Sequence, residues 1–303
     1  MASVSVVVPT HNRGDFLRCA IASVLNQTLQ DLEVIVVDDA STDNTAEVVE
    51  GFGDPRVNYI RHDVNQGVAR ARNTGILNSR AKYIAFLDDD DEWLPEKLQL
   101  QLARLEESPM SVGVVYSSSL AVDGLSRRVL FELTARQRGH IFDAIFVQGS
   151  LAPTSTFFCR RECFDRVGLF EPGLEFGEDS DMWLRIAKEF QFEYIEEPLV
   201  RFAVPYNKSS LSANYDVMIR GKEAYLRRYA TLFSAHSKVH SEFYLNLGAL
   251  YCYNENPHKG RGAFLKAITL NPLDPRPYFN LCLSCFGTKP FRKFKTLKDR
   301  WLS

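Results

Sequence analysis

Strand-like and helix-like segments alternate along the first half of this chain, and that alternation limits its fold more than any other feature. Runs of branched apolar residues typical of buried strands occupy residues 4–8, 32–37, 57–60, 83–87 and 112–116. Amphipathic helical patterns lie between them, as at residues 16–25 and 68–78. Strands and helices that alternate at these lengths predict an α/β fold, in which a mostly parallel sheet is covered by helices on both faces.

Local signals mark where some of these segments end. Pro9 is expected to end the first strand, because proline has no backbone N–H to donate to a neighbouring strand. Ser41 or Thr42 is expected to cap the helix after the second strand through its side-chain oxygen. Asp38 and Asp39, which end the second strand, offer another way to cap the same helix.

Four aspartates, Asp88 to Asp91, follow directly on the apolar run at residues 83–87. Like charges at a strand end repel, so this arrangement is costly unless a cation neutralises it. In an extended segment, Asp88 and Asp90 would share one face and Asp89 and Asp91 the other. Carboxylates with room for water and phosphate suit Mg²⁺ or Mn²⁺. The alternative is that the acids cap the following helix, for which Asp91 alone would suffice.

Composition excludes several classes of protein. A chain of 303 residues predicts one large domain plus a smaller one, and a net charge of −2 gives no reason to expect a nucleic-acid partner. No apolar run approaches the length of a transmembrane helix, and the N-terminal residues lack the layout of a signal peptide. The six cysteines lack the spacing of a small secreted domain, so we expect a cytoplasmic location.

The acidic segments lie where α/β sheets bind ligands, which is outside the carboxyl ends of the strands. That position raises the alternative of a dinucleotide-binding enzyme. However, residues 9–13 after the first strand contain no Gly-x-Gly-x-x-Gly, and the glycines at 51 and 53 follow a helix, where they indicate a turn. Neither this glycine loop nor a phosphate-loop signature is present in the sequence.

The chain contains five motifs in a fixed order: residues 6–13 (VVVPTHNR), 36–43 (VVDDASTD), 65–75 (NQGVARARNTG), 86–93 (FLDDDDEW) and 177–185 (GEDSDMWLR). In this order they resemble the motifs of family 2 glycosyltransferases with the GT-A fold, over roughly residues 4–211. The resemblance implies a mixed, Rossmann-like sheet flanked by helices. It also implies inverting transfer of a sugar from a nucleotide diphosphate donor, with Mn²⁺ or Mg²⁺ as cofactor.

The resemblance also implies a donor site. Asp39 corresponds to the carboxylate that accepts a hydrogen bond from the nucleobase, and Thr10 lies beside it in the loop after the first strand. Arg72 belongs near the diphosphate, where a guanidinium can bind two oxygens in a fixed fork. An ion pair between Arg72 and the acidic run is the structural alternative, and the two roles are compatible.

Within the acidic run, the resemblance places an Asp-x-Asp motif at Asp88 to Asp90. It implies that Asp88 contacts the ribose and that Asp90 binds the metal. Asp89, at a middle position that is usually small or polar in the family, adds charge and is a further candidate for donor binding.

The catalytic base is assigned by the same resemblance to Asp179, in the acid pair that it forms with Glu178. Inverting transfer needs one such base, which takes the proton from the acceptor hydroxyl. Asp181 is the second candidate, and capping of the following helix is the structural alternative for one of the three acids. Trp183 is expected in the core or in a wall of the acceptor pocket.

One departure from the family pattern follows the base. Many relatives carry an Arg-x-His ahead of a serine-rich loop, and Ala203 stands here at the position of that histidine. Its role at the diphosphate is therefore missing or is supplied by another group, for which Lys208 is the candidate. The loop at residues 205–212 is polar and is expected to order over the donor.

The C-terminal part, residues 213–303, is expected to form a separate helical region after a GT-A domain at residues 1–212. A set of its residues matches the offsets of a tetratricopeptide repeat, although a generic helical hairpin fits as well: Tyr244, Leu247, Gly248, Tyr251, Gly260, Phe264, Ala267 and Pro272. Such a region packs on the catalytic domain, on a second subunit or on a protein partner. The basic amphipathic tail at residues 289–301 is expected either to lie on anionic lipid at the inner face of the membrane or to pack on the repeat.

The sequence therefore predicts a metal-dependent, inverting hexosyltransferase-type enzyme of surface polysaccharide or glycoconjugate synthesis. Its expected donor is a UDP-sugar and its expected acceptor a glycan or a lipid-linked sugar. One alternative is a catalytically degenerate scaffold that acts through its helical C-terminal region. Another is a nucleotidyltransferase, which would not account for the acid pair at Glu178 and Asp179.

Overall fold

The computed structural model describes residues 2–149, 151–174, 176–204, 214–287 and residue 291. The chain divides into two compact units, Met1–Pro172 with Glu178–Tyr206, and Gly173–Gly177 with Asn207–Ser303. The boundary expected at residues 212 and 213 falls within residues 205–213, which lie outside the described part.

The first unit contains nine strands and seven α-helices among its described residues. The strands are β1 Val4–Thr10, β2 Leu32–Asp38, β3 Val57–Arg61, β4 Tyr83–Phe86, β5 Glu92–Trp93, β6 Val112–Asp123, β7 Val129–Leu133, β8 Phe158–Arg160 and β9 Gln191–Val204. The helices are α1 Gly14–Leu25, α2 Thr45–Glu50, α3 Val68–Asn78, α4 Lys97–Glu107, α5 Phe142–Gln148, α6 Arg161–Val167 and α7 Glu178–Glu189.

The nine strands form one mixed sheet in the order β3-β2-β1-β4-β8-β6-β9-β5, with β7 paired to β6. Strands β3, β2, β1 and β4 are parallel, whereas β8 runs antiparallel to both β4 and β6. Strands β6 and β9 are parallel, and β5 and β7 pair antiparallel with β9 and β6. The mixed sheet implied by the family resemblance is confirmed. The mostly parallel sheet inferred from alternation is wrong beyond β4, where strict alternation ends.

The first strand continues through Pro9 to Thr10, so the prediction that Pro9 ends it is wrong. On one side, Leu87 N donates to Val7 O, and on the other side Asp39 N donates to Thr10 O. Residues two apart in a strand point their backbone groups to the same side, so Pro9 faces the β4 side, as Val7 does. Because β4 has already ended there, the missing N–H of proline leaves no partner unpaired.

Helix α3 lies close against the centre of the sheet at Gly75. A Cβ atom at this position would lie 2.2 Å from Cγ1 of Val7, which is far inside van der Waals contact. Only glycine therefore allows α3 and β1 to approach this closely. The approach matters for the site, because α3 also carries Arg72.

The second unit is helical throughout its described elements: α8 Tyr215–Arg228, α9 Ala230–Ala235, α10 Ser237–Tyr253, α11 Pro257–Leu270 and α12 Pro275–Cys285. Helices α10 and α11 form a hairpin, and a Cβ at Gly248 would lie 2.5 Å from the ring of Phe264. The predicted helical extension is present, while its identity as a tetratricopeptide repeat stays a prediction.

Most of the basic tail lies outside the described residues. Phe291 is the exception, and its buried ring stacks on Phe264 with centroids 6.0 Å apart. At this one position, the tail packs on the helical hairpin, as one of the two interpretations expected. Within the described residues, no helix combines the length and apolar character that crossing a membrane would require.

Candidate active site

The acidic run forms a tight turn. Asp91 N donates to Asp88 O at 3.1 Å, and the chain then enters β5, which pairs with β9. The prediction that residues 88–91 are extended is therefore wrong, because the chain must change direction between β4 and β5. Exposure nevertheless alternates: Asp89 and Asp91 are buried, whereas the side chains of Asp88 and Asp90 are 34% and 29% exposed.

Arg13 holds two acids of this turn. Its Nη1 lies 3.0 Å from Asp89 Oδ1 and 2.8 Å from Asp90 Oδ2. Thr10 Oγ1 donates to the other oxygen of Asp89 at 2.8 Å. Thr10 is thus beside the acidic turn, and it joins the end of β1 to the loop after β4.

Asp91 is part of the internal framework of the turn. Its carboxylate accepts from Ser155 Oγ at 2.6 Å and from Ala203 N at 2.9 Å. Helix α4 begins only at Lys97 and has no side-chain cap, so the alternative in which Asp91 caps this helix is wrong. Ala203, which stands in place of the expected histidine, therefore contributes its backbone N–H to the site.

Arg72 connects the acidic turn to the start of α7. This buried guanidinium donates from Nη2 to Asp88 Oδ1 at 2.7 Å and from Nη1 to Glu178 Oε1 at 2.6 Å. Its Nε has no hydrogen-bond partner among the described residues, and its guanidinium carbon lies 5.5 Å from the ring centroid of Phe170. The ion pair between Arg72 and the acidic run is present, and contact with a donor stays a prediction.

The three acids of α7 have different environments. Burial, with a contribution from neighbouring Asp179, raises the pKa of Glu178 to about 7, although Arg72 opposes this. Asp179 is partly buried and accepts from Ser180 N at 2.7 Å, and burial is the main cause of its raised pKa. Asp181 is fully buried and pairs with Arg185 at 2.8 Å, which makes it a structural residue and excludes it as the base.

Trp183 belongs to the core. It is 1% exposed and stacks on Phe157 with ring centroids 4.1 Å apart. The core interpretation is the one that holds, because a ring so buried has no face left for an acceptor.

Asp39 lies at the carboxyl end of β2, but its carboxylate is already used. Its oxygens accept from Gln66 N and Gly67 N at 2.7–3.0 Å, and Nδ1 of His62 lies 2.7 Å away. Asp39 therefore fixes the residues that lead into α3 and does not cap α2. A role in accepting from a nucleobase would need the remaining lone-pair directions, and it stays a prediction.

Asp38 also acts locally, accepting from Ser41 N at 2.8 Å and from the hydroxyl of Tyr59 at 2.5 Å. Helix α2 starts at Thr45, whose N donates to Asp43 Oδ1 at 3.1 Å. Neither Asp38 nor Asp39 caps this helix. The expected cap at Ser41 or Thr42 is also wrong, because the chain makes a turn before the helix begins.

Two non-glycine residues with positive φ lie at the ends of β1 and β2. Asn12 has φ 54° and Ala40 has φ 63°. Asn12 N donates to Ser41 Oγ at 2.8 Å, and Thr42 N donates to Asn12 Oδ1 at 2.7 Å. Such backbone conformations are costly and cluster at binding sites, so this pair of loops is organised around a fixed shape.

The donor set fits a divalent cation that takes most of its ligands from water and phosphate. Burial raises the pKa of Asp89 to about 7, and burial together with Asp88 raises the pKa of Asp90. Arg13 therefore does not fully offset the negative charge of the turn. No group of three or more metal-ligating side chains occurs among the described residues, which fits Mg²⁺ or Mn²⁺ held by one or two carboxylates plus a substrate diphosphate.

Sequence reasoning missed three residues of the site. Arg13 had a local signal, since it ends the first motif three residues after Thr10. Ser155 and Arg127 had none, because their partners are far away in the chain. Ser155 lies 64 residues from Asp91, and Arg127 donates to the carbonyl of Asp90, 37 residues away.

Similar folds occur among solved structures. The structure of S. aureus TarS 1-349 in complex with UDP superposes with a TM-score of 0.59, covering 89% of each chain at 20% sequence identity. A second crystal of the same region, in complex with UDP-GlcNAc, gives a TM-score of 0.61 at 19% identity. At this level of identity the likeness establishes the fold.

Relatives in sequence cover the same part of the chain. An uncharacterized glycosyltransferase of Rickettsia bellii is 35% identical over 61% of this chain, which spans only 26% of that relative's length. The succinoglycan biosynthesis protein ExoO of Rhizobium meliloti is 32% identical, over 75% of this chain and 69% of the relative. The Escherichia coli protein WfgD, a UDP-Glc:alpha-D-GlcNAc-diphosphoundecaprenol beta-1,3-glucosyltransferase, is 28% identical over 70% of this chain and 80% of its own length.

The model of glycosyl transferase family 2 matches residues 5–168, which include β1 to β4, the acidic turn and Arg72. The match ends before Glu178 and Asp179. Together with the relatives and the mixed sheet, it confirms the resemblance seen in the five motifs. This chain belongs to glycosyl transferase family 2 and carries the GT-A fold.

Proposed function

We propose that this chain transfers a sugar from a nucleoside diphosphate donor, a UDP-sugar in the first instance, to an acceptor hydroxyl with inversion. The observation that carries the proposal is the cluster that Arg72 forms with Asp88 and Glu178. It brings the acidic turn, suited to a donor diphosphate, next to the acid pair that contains Asp179. Donor and base must be adjacent in this way for direct displacement at a sugar carbon.

The donor side of the proposal uses residues at the ends of β1, β2 and β4. Asp39 and Thr10 are the proposed contacts to the base, Asp88 and Asp89 to the ribose and its surroundings, and Arg72 to the diphosphate. Support for uridine comes from the structural neighbour solved with UDP and from the relative named for UDP-glucose. The raised pKa values of the turn add support, because this excess of negative charge calls for a cation.

Asp90 is the residue proposed to hold a divalent metal. Its side chain is partly exposed, unlike those of Asp89 and Asp91. When bound there, Mg²⁺ or Mn²⁺ would neutralise the charge that develops on the leaving diphosphate. The protein's own part is to hold Asp90 in place through Arg13 and the tight turn.

Asp179 is the proposed base. Its carboxylate takes the proton of the acceptor hydroxyl as that oxygen attacks the sugar carbon on the face opposite the leaving diphosphate. Burial raises its pKa, which strengthens it as a base relative to an exposed aspartate. The Ser180 N–H orients one oxygen, so the other is left to face the acceptor.

The acceptor is proposed to be a glycan or a lipid-linked sugar in polysaccharide or glycoconjugate synthesis. Support comes from relatives named for succinoglycan and for a diphosphoundecaprenol-linked acceptor. The catalytic role is assigned to residues 1–212, and a role in packing, self-association or binding a protein partner to residues 213–303. A cytoplasmic location, with or without attachment to the inner face of the membrane, is part of the same proposal.

The test is calorimetric titration of the full chain with UDP, GDP, dTDP and CMP, each with and without Mn²⁺. We expect binding of UDP that strengthens with the metal. Asp90→Asn should lose the metal dependence, whereas Asp165→Asn, which removes an exposed carboxylate on α6, should retain it. Release of UDP from a panel of UDP-sugars then identifies the sugar.

Absence of binding to any nucleotide would overturn the donor proposal. The chain would then be better explained as a degenerate transferase domain that serves as a scaffold for its helical C-terminal region.

A further inference from the structure

The hairpin formed by β6 and β7 exposes an unusual amount of apolar surface. Every residue of β7 is exposed, and the tip before it exposes a further leucine. The large apolar side chains are Leu125, Val129, Leu130, Phe131 and Leu133, which are 39–70% exposed. Contiguous apolar surface of this kind on a folded protein marks an interaction site.

Charge on the same segment is strongly positive. Residues 124–138 contain four arginines and one glutamate, whereas the whole chain carries a net charge of −2. Arg128, Arg136 and Arg138 are exposed, and Glu132 is the single acid between them. The segment therefore combines apolar side chains with cations in an otherwise slightly acidic protein.

The base of the hairpin is fixed beside the acidic turn. Arg127 donates to the carbonyl of Asp90 at 3.1 Å and pairs with Glu92 at 2.9 Å. The ring of Phe131 packs edge-on against Phe202, with centroids 6.3 Å apart. The exposed surface is thus held at a set position relative to the proposed donor site.

We propose that this hairpin, residues 124–133, is a membrane-docking surface that binds the anionic interface of a lipid bilayer. Its apolar side chains would enter the interfacial layer, and its arginines would meet lipid phosphates. The proposal goes beyond the transfer reaction and does not depend on it, since attachment to lipid can be measured without any substrate.

The geometry of β7 favours lipid over a protein strand. Among the described residues β7 pairs with β6 alone, so its other edge could accept a strand from a second copy. Successive residues of a strand point to opposite faces, so Leu130 is exposed on one face and Val129 and Leu133 on the other. An added strand would cover the edge and leave both faces in water, whereas a lipid interface surrounds both faces at once.

The test is flotation of the full chain with vesicles of phosphatidylcholine, alone and with phosphatidylglycerol. We expect binding that requires the anionic lipid and weakens with salt. The double variant Leu125→Ser/Leu130→Ser should bind at least about tenfold more weakly, because it removes two apolar side chains from the interface. Leu77→Ser, which changes a leucine that is 70% exposed on α3, is the matched control and should bind like the wild type.

A second variant tests the charge without touching the apolar side chains. Arg128→Gln should weaken binding to the anionic vesicles several-fold. Urea unfolding of each variant checks that the fold is retained, and equal binding by Arg128→Gln, the double variant and the control would overturn the proposal.

Two other occupants give different results. If Leu297→Ser/Trp301→Ser in the basic tail abolishes flotation while the hairpin variant floats normally, the tail is the lipid-binding element and the hairpin proposal is wrong. If the wild type ignores all vesicles and light scattering shows a dimer that Leu125→Ser/Leu130→Ser dissociates, the surface binds a second copy. Either result overturns lipid docking without affecting the proposed transfer reaction.

Discussion

Arg72 and Glu178 are 106 residues apart in the chain, yet Nη1 of the arginine lies 2.6 Å from Oε1 of the glutamate. The same guanidinium binds Asp88 through Nη2, so one buried cation connects α3, the acidic turn and the start of α7. Because the acid pair that includes Asp179 begins α7, Arg72 sets the distance between the proposed donor site and the proposed base.

Removing this cation should destabilise the protein. Arg72→Ala leaves two carboxylates near each other without their common partner, one of them buried, and we expect a loss of about 3 kcal/mol in the free energy of unfolding. Arg70→Ala, on the exposed side of the same helix, should change it by less than about 0.5 kcal/mol. Urea unfolding of both variants measures the difference, and equal stabilities would show that the buried ion pairs contribute little.

Asp179→Asn should separate binding from chemistry. We expect nucleotide binding to be unchanged in calorimetry and transfer to fall at least about a hundredfold, since the asparagine cannot accept the proton. Near-normal turnover by this variant would show that another group is the base.

The matched comparison for Asp179 is Asp181→Asn, two positions along the same helix. That variant should lower the melting temperature instead, because it breaks the fully buried pair with Arg185. A change in transfer without a change in stability at this position would contradict the structural role given to Asp181.

Stability should depend on pH through Glu178. Its pKa is raised to about 7 in the folded protein, above the ordinary value of 4.5, so the folded state holds this proton more tightly than the unfolded state. The stabilisation is fully present below about pH 4.5 and is lost as the pH rises to about 7. Compared with Glu178→Gln, the wild type should therefore lose stability across this range.

Urea unfolding of wild type and Glu178→Gln at several pH values measures this loss. Ile186→Val, which changes no titratable group on the same helix, should give a curve parallel to that of the wild type. A difference between wild type and Glu178→Gln that does not vary with pH would contradict the raised pKa.

Ala40 should be replaceable by glycine with a gain in stability. Its φ of 63° is costly for a residue with a Cβ atom, and glycine removes that cost. After the larger entropy of glycine in the unfolded chain is subtracted, we expect Ala40→Gly to add roughly 0.5–1 kcal/mol. The same change at Ala46, inside α2, should have the opposite sign and cost about 1 kcal/mol. Thermal unfolding of the two variants tests this contrast.

Sequence patterns predicted the parts of the fold that depend on short-range order. Apolar runs located β1 to β4, and helical periodicity located α1 and α3, because burial on one face leaves a repeating pattern in neighbouring residues. Strands β5, β7, β8 and β9 were not predicted, since they are short or irregular in pattern and owe their pairing to distant strands.

The sequence by itself determined the family, the GT-A fold and the position of the acidic residues at the carboxyl ends of the strands. Only the tertiary structure decided how those acids are divided. It buries Asp91 against Ser155 and Ala203, commits Asp181 to Arg185 and leaves Asp90 and Asp179 partly accessible. The reason is physical: each of these roles depends on solvent exposure, hydrogen-bond partners and pKa, and for the acidic turn those partners come from segments up to 112 residues away.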